Sequence, residues 1–275
     1  MKYKVVKVFN NNVVLARQNQ QEMILVSKGI GFNKKKGDNI TVDSKTIEKV
    51  FHELSGKGSS NYFEMIPNYN KEVVGVSEEI IAKAETMLGS LSPNIHGALV
   101  DHITFALDRI NMGLPIENPF VMEITLLYQE EYDVAELAAV LIKQRLGLDI
   151  GDDEKGFIAL HLHSARNNKT IRETMKNTRL FKSCVELIIK KTNKNTGEKT
   201  DVYQNFIPSI QSILNHCKKQ KTMYNPLVKE IKDKVYESYM IAKEIGELVR
   251  KEKDIILSDE MIAYIAIDIE KIRQF

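Results

Sequence analysis

The sequence predicts an α+β multidomain protein: a small antiparallel β domain followed by two all-α helical-bundle domains. Three observations carry that expectation. Up to Phe51 the chain reads as short β-branched runs. Beyond a Gly/Ser-rich stretch, apolar residues recur at helical spacing of three and four. The last two thirds of the chain align with themselves at a constant offset of 107 residues.

The runs YKVVKVF, VVLARQ, EMILV and TIEKVF predict strands, separated by turn-forming groups at Asn10–Asn12 and Asn19–Gln21. LSGKGSSNYF, around Gly56 to Ser60, predicts a linker. SEEIIAKAETML, HGALVDHITFALDRI and YDVAELAAVLIKQRLG predict helices. Ser77 with Glu79 and Ile80 predicts a helix start, and Gly147 a helix end. The expected boundaries are 1–56 for the β domain, 57–64 for the linker, and 65–170 and 171–275 for the helical domains.

At offset 107, Asn118-Pro119 falls on Asn225-Pro226, Tyr132 on Tyr239, Asp152 on Asp259 and Ile158-Ala159 on Ile265-Ala266. Residues 118–163 carry 12 identities without a gap. Each copy is of a size that folds independently. The repeat also acts as an internal control, because positions that change chemistry while the core pattern persists are candidates for function. IALHLH in the first copy becomes IAIDIE in the second, so His161 pairs with Asp268. His102 pairs with Ser209. On helical spacing His161 shares a face with Phe157, Leu160 and Ser164, at the rim of the core face, and His102 lies beside Leu99, Phe105 and Ala106. A satisfied, partly buried histidine is the ordinary alternative at either position. His163 points away from His161, and metal ligands on a helix prefer a spacing of four, so no metal site is expected.

A hydrophobic fraction of 43% and a charged fraction of 28% are those of a soluble protein. Cys184 and Cys217 stand far apart, which suggests reduced thiols in the cytoplasm rather than a disulfide framework. MKYKVVKVFNNN has no signal-peptide core. No apolar run approaches the roughly 20 residues that membrane insertion needs. The net charge of +2 conceals balances of +6 over residues 1–60, −9 over 61–170 and +5 over 171–275. A basic β module ahead of an acidic helical one fits a nucleic-acid-binding domain with a control domain. A solvated basic surface is the plain alternative.

The motifs KVFNNNVVL, KGIGFNKKKGD, IEKVF, DHITFALDR, NPFVMEITLLYQEEYDVA and GFIALHLHSA, in this order, resemble the BglG/SacY/LicT family of transcriptional antiterminators. The later motifs are most similar to its glucose-type branch. The resemblance covers essentially the whole chain. It implies a homodimeric RNA-binding β domain that stabilises an antiterminator RNA hairpin against an overlapping terminator. It also implies two helical domains regulated by the sugar phosphotransferase system, and no catalysis, cofactor or metal. The implied RNA-contacting residues are Lys7, Asn10, Asn12, Ser27, Lys28, Gly29 and Phe32, with Ser27 departing from a frequent glycine. Physically, asparagines can offer donor and acceptor to a base edge, and Phe32 a ring for stacking. Gly29 and Gly31 would let backbone approach the RNA, and Lys7 and Lys28 would meet phosphates. Pairing of two copies would cover surface that so small a domain leaves wet.

His102 and His161 match the family's regulatory histidines in the first repeat, phosphorylated there by the sugar permease EII. A phosphoryl group adds nearly two negative charges. At a two-fold interface, such charges ~8 Å apart with an effective dielectric of ~40 would repel by on the order of 4 kcal/mol. Ser209 and Asp268 depart from the family pattern, so phosphorylation of the second repeat by the carrier HPr is not implied. Asp268 either mimics a charged state or belongs to a purely structural domain. Two other classes remain: a DNA-binding regulator under the same control, though no helix-turn-helix is evident, and an enzyme using His102, His161 and Asp101. No Gly-rich phosphate loop, nucleophile motif or metal spacing supports the enzyme.

Overall fold

The structure is a computed structural model that describes residues 1–42, 47–52, 60–193, 199–219 and 221–274. Two compact units, Met1–Thr174 and Met175–Phe275, divide the chain.

In the first unit five antiparallel strands form one sheet: β1 (Lys2–Val8), β2 (Val13–Gln18), β3 (Gln21–Val26), β4 (Asn39–Thr41) and β5 (Lys49–His52), in the order β4-β1-β2-β3-β5. A two-residue turn joins β2 to β3. Its residues Asn19 and Gln20 have φ of 49° and 69°, the pair of positive values whose twist matches the flanking strands. β1 carries a bulge at Val6, between the pairs Val5↔Ala16 and Lys7↔Leu15. β4 escapes sequence reading because three residues are too few to show alternation. β5 begins at Lys49, later than TIEKVF suggests; residues 43–46, including Thr46 of that run, lie outside the described residues.

Tyr3, Val5, Val14, Ala16, Met23, Leu25, Ile40 and Val42 form the core on one side of the sheet. The alternate residues Val13, Leu15, Ile24, Val26 and Phe51 are buried as well. The reason is that α2 (Lys71–Leu88) packs against β2 and β3 and covers surface that the small domain alone would leave wet.

Residues 57–59 of the expected linker lie outside the described residues, and the rest of it, 60–64, is helical, in α1 (Ser60–Met65). The predicted helix start at Ser77 is wrong. α2 starts at Lys71, where the Asn70 side chain accepts the Glu72 amide at 2.9 Å. Ser77, Glu78 and Glu79 are buried in mid-helix. α3 (Ile95–Asn111), α5 (Gln129–Leu146) and α6 (Asp152–Arg166) complete a bundle with α2, and the short α4 (Val121–Leu127) lies on α5 and α6. α5 ends at Gly147 as the sequence predicts, with φ +71°.

α7 (Ile171–Thr192) runs from the first unit into the second. There it is followed by α8 (Lys199–Lys218), α9 (Val228–Lys234), α10 (Tyr236–Lys253) and α11 (Asp259–Gln274). α4 and α9, α5 and α10, and the starts of α6 and α11 are each separated by the 107 residues of the sequence repeat. Even the kink is repeated: Tyr128 between α4 and α5, and Val235 between α9 and α10, share ψ of 46°. Asp254 takes the left-handed place of Gly147, with φ +57°. Among the described residues no helix is long and apolar enough to cross a membrane.

Candidate functional sites

The loops after β1 and β3 are stitched into one surface. The Asn12 amide donates to Asn10 Oδ1 (2.8 Å), closing a turn on the asparagine's own side chain. Asn12 Oδ1 in turn accepts the Gly29 amide (2.9 Å). Backbone bonds from Ser27 to Asn12 (2.9 Å) and from Gly31 to Asn11 (3.0 Å) complete the seam. Around it the structure gathers Asn10, Asn12, Lys28, Gly29 and an exposed Phe32. Lys7, near the end of β1, has its ammonium 5.6 Å from the Phe9 ring centroid. Ser27 is withdrawn, with 7% exposure.

Two glycines have different reasons. Gly29 needs its φ of +74°, with open space where a Cβ would be. A Cβ on Gly31 would lie 2.2 Å from the Asn10 carbonyl oxygen, so its absence serves loop-to-loop packing. The asparagine side-chain amides already have a partner within the protein. Asn10 Nδ2 donates to Glu79 Oε1 (2.7 Å) and Asn12 Nδ2 to Glu79 Oε2 (3.0 Å).

In the helical part of this unit, α3 and α6 bring His102 and His161 together, with ring centroids 4.9 Å apart. Phe157, one turn before His161, meets the His102 ring at 5.9 Å. Glu154, one turn earlier still and buried, places Oε2 3.2 Å from His102 Nε2 without hydrogen-bond geometry. Its Oε1 accepts from Arg109 Nη2 (2.6 Å). Burial pushes the Glu154 carboxyl up, but His102 and Arg109 outweigh it and hold it below the usual range. His161 is lowered to about 3, first by burial and then by the neighbouring His102. At neutral pH it is therefore an uncharged imidazole with a free lone pair. It borders a cavity of about 360 Å³ shared with Ser92, Asn94, Asn168 and Thr170.

Sequence reading missed Glu154 and Arg109. The signal was present, since at offset 107 they become Met261 and His216 while the helices persist. His163, by contrast, belongs to a structural pair. Its Nδ1 lies 3.1 Å from Glu131 Oε1 and its ring 3.9 Å from that of Tyr128. The equivalent pair in the second repeat is Ser238 donating to Glu270 (2.6 Å). Among the described residues no group of three His, Cys, Asp or Glu could hold a metal ion.

A basic-fronted β sheet carrying helical repeats with a paired-histidine cluster is the plan of a regulator with a nucleic-acid-binding head. Residues 3–57 match the family described as CAT RNA binding domain, and residues 78–165 and 182–272 match that described as PRD domain. The chain belongs to the family of transcription antiterminators built from these modules. It is 33% identical over 272 residues to Protein GlcT of Staphylococcus haemolyticus (strain JCSC1435), covering 97% of this chain and 95% of that protein. Transcription antiterminator LicT of Bacillus subtilis (strain 168) is 31% identical over 278 residues, covering 98% of each. The beta-glucoside operon antiterminator of Dickeya chrysanthemi is 30% identical, covering 98% and 96%. A crystal structure of GlcT CAT-PRDI is similar at 37% identity with a TM-score of 0.49, covering 61% of this chain and all of that one.

Proposed function

We propose that the protein is a cytoplasmic antiterminator that binds, as a homodimer, an RNA hairpin overlapping a terminator ahead of a sugar phosphotransferase gene. The stitched seam between the two loops carries this reading. It fixes in one patch groups that suit splayed RNA bases: the Phe32 ring for stacking, the asparagine amides for base edges, and Lys7 and Lys28 for phosphates. RNA loops are read in this way because the major groove of an RNA helix is too narrow to enter.

His102 and His161 are the phosphoacceptors, and the sugar permease EII is the donor. A neutral imidazole nitrogen attacks phosphorus on the donor. The new N–P bond forms as the donor's bond to phosphorus breaks, and the donor leaves with that electron pair. A phosphate on His102 then faces the Glu154 carboxylate and draws on the same Arg109. The cluster must rearrange, which makes the modification a switch rather than a decoration.

The test uses the full chain and a labelled RNA hairpin with internal loops, taken from the leader of the transporter gene, against duplex DNA of matching length. The hairpin alone should bind. Phe32→Ala should cost about 1–3 kcal/mol of affinity through lost stacking. Equal affinity for DNA, or an unaffected variant, would remove the loops from the binding surface.

A further inference from the structure

Glu79 lies in α2, outside the sheet, yet its carboxylate is fully engaged at the asparagines of the RNA-binding loops. Oε1 accepts Asn10 Nδ2 (2.7 Å) and Arg145 Nε (3.0 Å); Oε2 accepts Asn12 Nδ2 (3.0 Å) and Arg145 Nη2 (2.9 Å). The acceptor ends of the asparagines are committed too, to the amides of Asn12 and Gly29. Both ends of each side chain are thus already bonded, and a base must compete with those partners. Gly75, one turn before Glu79, makes room for the arrangement, since a Cβ there would lie 2.5 Å from Asn10 Nδ2.

We propose that Glu79, clamped by Arg145, is an autoinhibitory latch that occupies Asn10 and Asn12 in place of RNA and must be displaced before the hairpin binds. The proposal rests on the RNA-binding reading above. Chemically the carboxylate is a decoy, offering the two asparagine donors a pair of acceptor oxygens such as a base edge or a phosphate offers. Its negative charge also repels the phosphates of an approaching strand. Arg145 makes the latch reversible. Its bidentate pair with Glu79 joins α5 to α2, both in the helical bundle, so the carboxylate keeps its counter-charge when the loops leave. Burial favours the protonated Glu79, but Arg145, Asn12 and Asn10 together hold its pKa below the usual range. Opening therefore exchanges two asparagine bonds for water or RNA and strands no unpaired charge.

A latch of this kind lowers apparent RNA affinity by the fraction of molecules that are open. With roughly a tenth open, freeing the loops raises affinity about tenfold. The experiment measures binding of the full chain to the hairpin probe for wild type, Glu79→Gln, Gly75→Ala and Glu72→Gln. Glu79→Gln weakens the latch by removing charge. Gly75→Ala displaces Asn10 while leaving every charge in place. Glu72→Gln removes a charge from the same cleft, which Lys71 and Arg145 also line, without touching the asparagines. The expected result is tighter binding, about tenfold, for the first two and little change for the third. Unchanged or weaker binding by both Glu79→Gln and Gly75→Ala overturns the latch, as does an equal gain from Glu72→Gln, which would mean bulk charge alone. Wild-type Asn10 and Asn12 side-chain amide signals should also move in Gly75→Ala without RNA, and their standing still overturns the latch by itself. If instead no variant binds the hairpin, the RNA-binding reading falls, and the amide signals still judge the contact.

Discussion

His161 and His96 are both largely but not fully buried imidazoles, and their surroundings push them in opposite directions. His161 stacks on His102 and is lowered to about 3 by burial and that neighbour. His96 Nδ1 lies 2.9 Å from Glu78 Oε2, beneath Tyr62 and against the edge of Phe51. Burial opposes its charge too, but Glu78, and more weakly Glu85, outweigh burial and raise it. In the unfolded chain both titrate near ~6.5. Below that value the unfolded chain takes up a proton at His161 that the folded protein refuses until about pH 3, so this residue costs stability as pH falls through that window. For His96 the sign reverses. Its contribution is full below ~6.5 and is lost as pH rises through the raised folded pKa. Two outcomes follow. Imidazole NMR should show His161 neutral throughout pH 5–8, and titration near ~6.5 would contradict its burial. Glu78→Gln should destabilise by about 1–3 kcal/mol in denaturant unfolding below pH 6, with the deficit shrinking in alkaline buffer. A deficit that grows with pH would mean His96 is held neutral.

At the scale of elements, the repeated helix starts show what sequence can reveal and where it stops. Asn118 Oδ1 accepts the Phe120 amide (3.0 Å), and Asn225 Oδ1 accepts the Leu227 amide (3.0 Å), so the shared Asn-Pro is the same turn made twice. That much was legible in the offset alignment, as was the placement of α4 to α6 and α9 to α11. The surroundings of the two asparagines were not. The Asn118 backbone amide also reaches Asp153 Oδ1 (2.8 Å) and its Nδ2 the Asp153 carbonyl (3.4 Å), over a glycine, Gly156, whose Cβ would lie 2.7 Å away. Asn225 Nδ2 is buried without a hydrogen-bond partner. Asn118→Ala should therefore lower stability by about 1–2 kcal/mol, read as faster amide exchange in α4 and α6. Asn225→Ala, which also removes an unsatisfied donor, should cost less. Equal losses would show that only the shared turn matters. The misplaced start of α2 has a related cause. From Val73 to Ala82 the helix is buried on every side, so no change of periodicity marks its beginning. Ser77 with Glu79 and Ile80 has the pattern of a helix start. The partners that bury Glu78 and Glu79 (Tyr62, His96, Asn10, Asn12 and Arg145) come from other elements, and no local pattern announces them.

Over the whole molecule, one helical design appears twice with its chemistry installed once. The second repeat keeps the lengths of α4 and α5, the kink and the arginine: Arg166 pairs with Glu130, and Arg273 with Glu237, each a repeat apart. What it lacks is the paired-histidine cluster. His102, Arg109, Glu154 and His161 are replaced by Ser209, His216, Met261 and Asp268. Neither Ser209 nor Asp268 offers an imidazole nucleophile, and His216, the one histidine of this repeat, turns its Nδ1 to the Ser212 carbonyl (2.9 Å). Phosphorylation by EII, mapped under conditions that preserve acid-labile phosphohistidine, should therefore fall on His102 and His161 and on nothing after residue 171. HPr should leave the second repeat unlabelled. The same geometry addresses Asp268. Its half-buried carboxylate is matched within its own helix by the exposed Lys271 Nζ (3.2 Å), a local pair that needs no phosphate-like role. Asp268→Asn should then be nearly silent, within about 0.5 kcal/mol in stability and without effect on antitermination. Were the carboxylate a stand-in for a phosphate, losing its charge would weaken antitermination sharply, and a reporter carrying the hairpin and terminator in cells lacking the EII donor would register the loss.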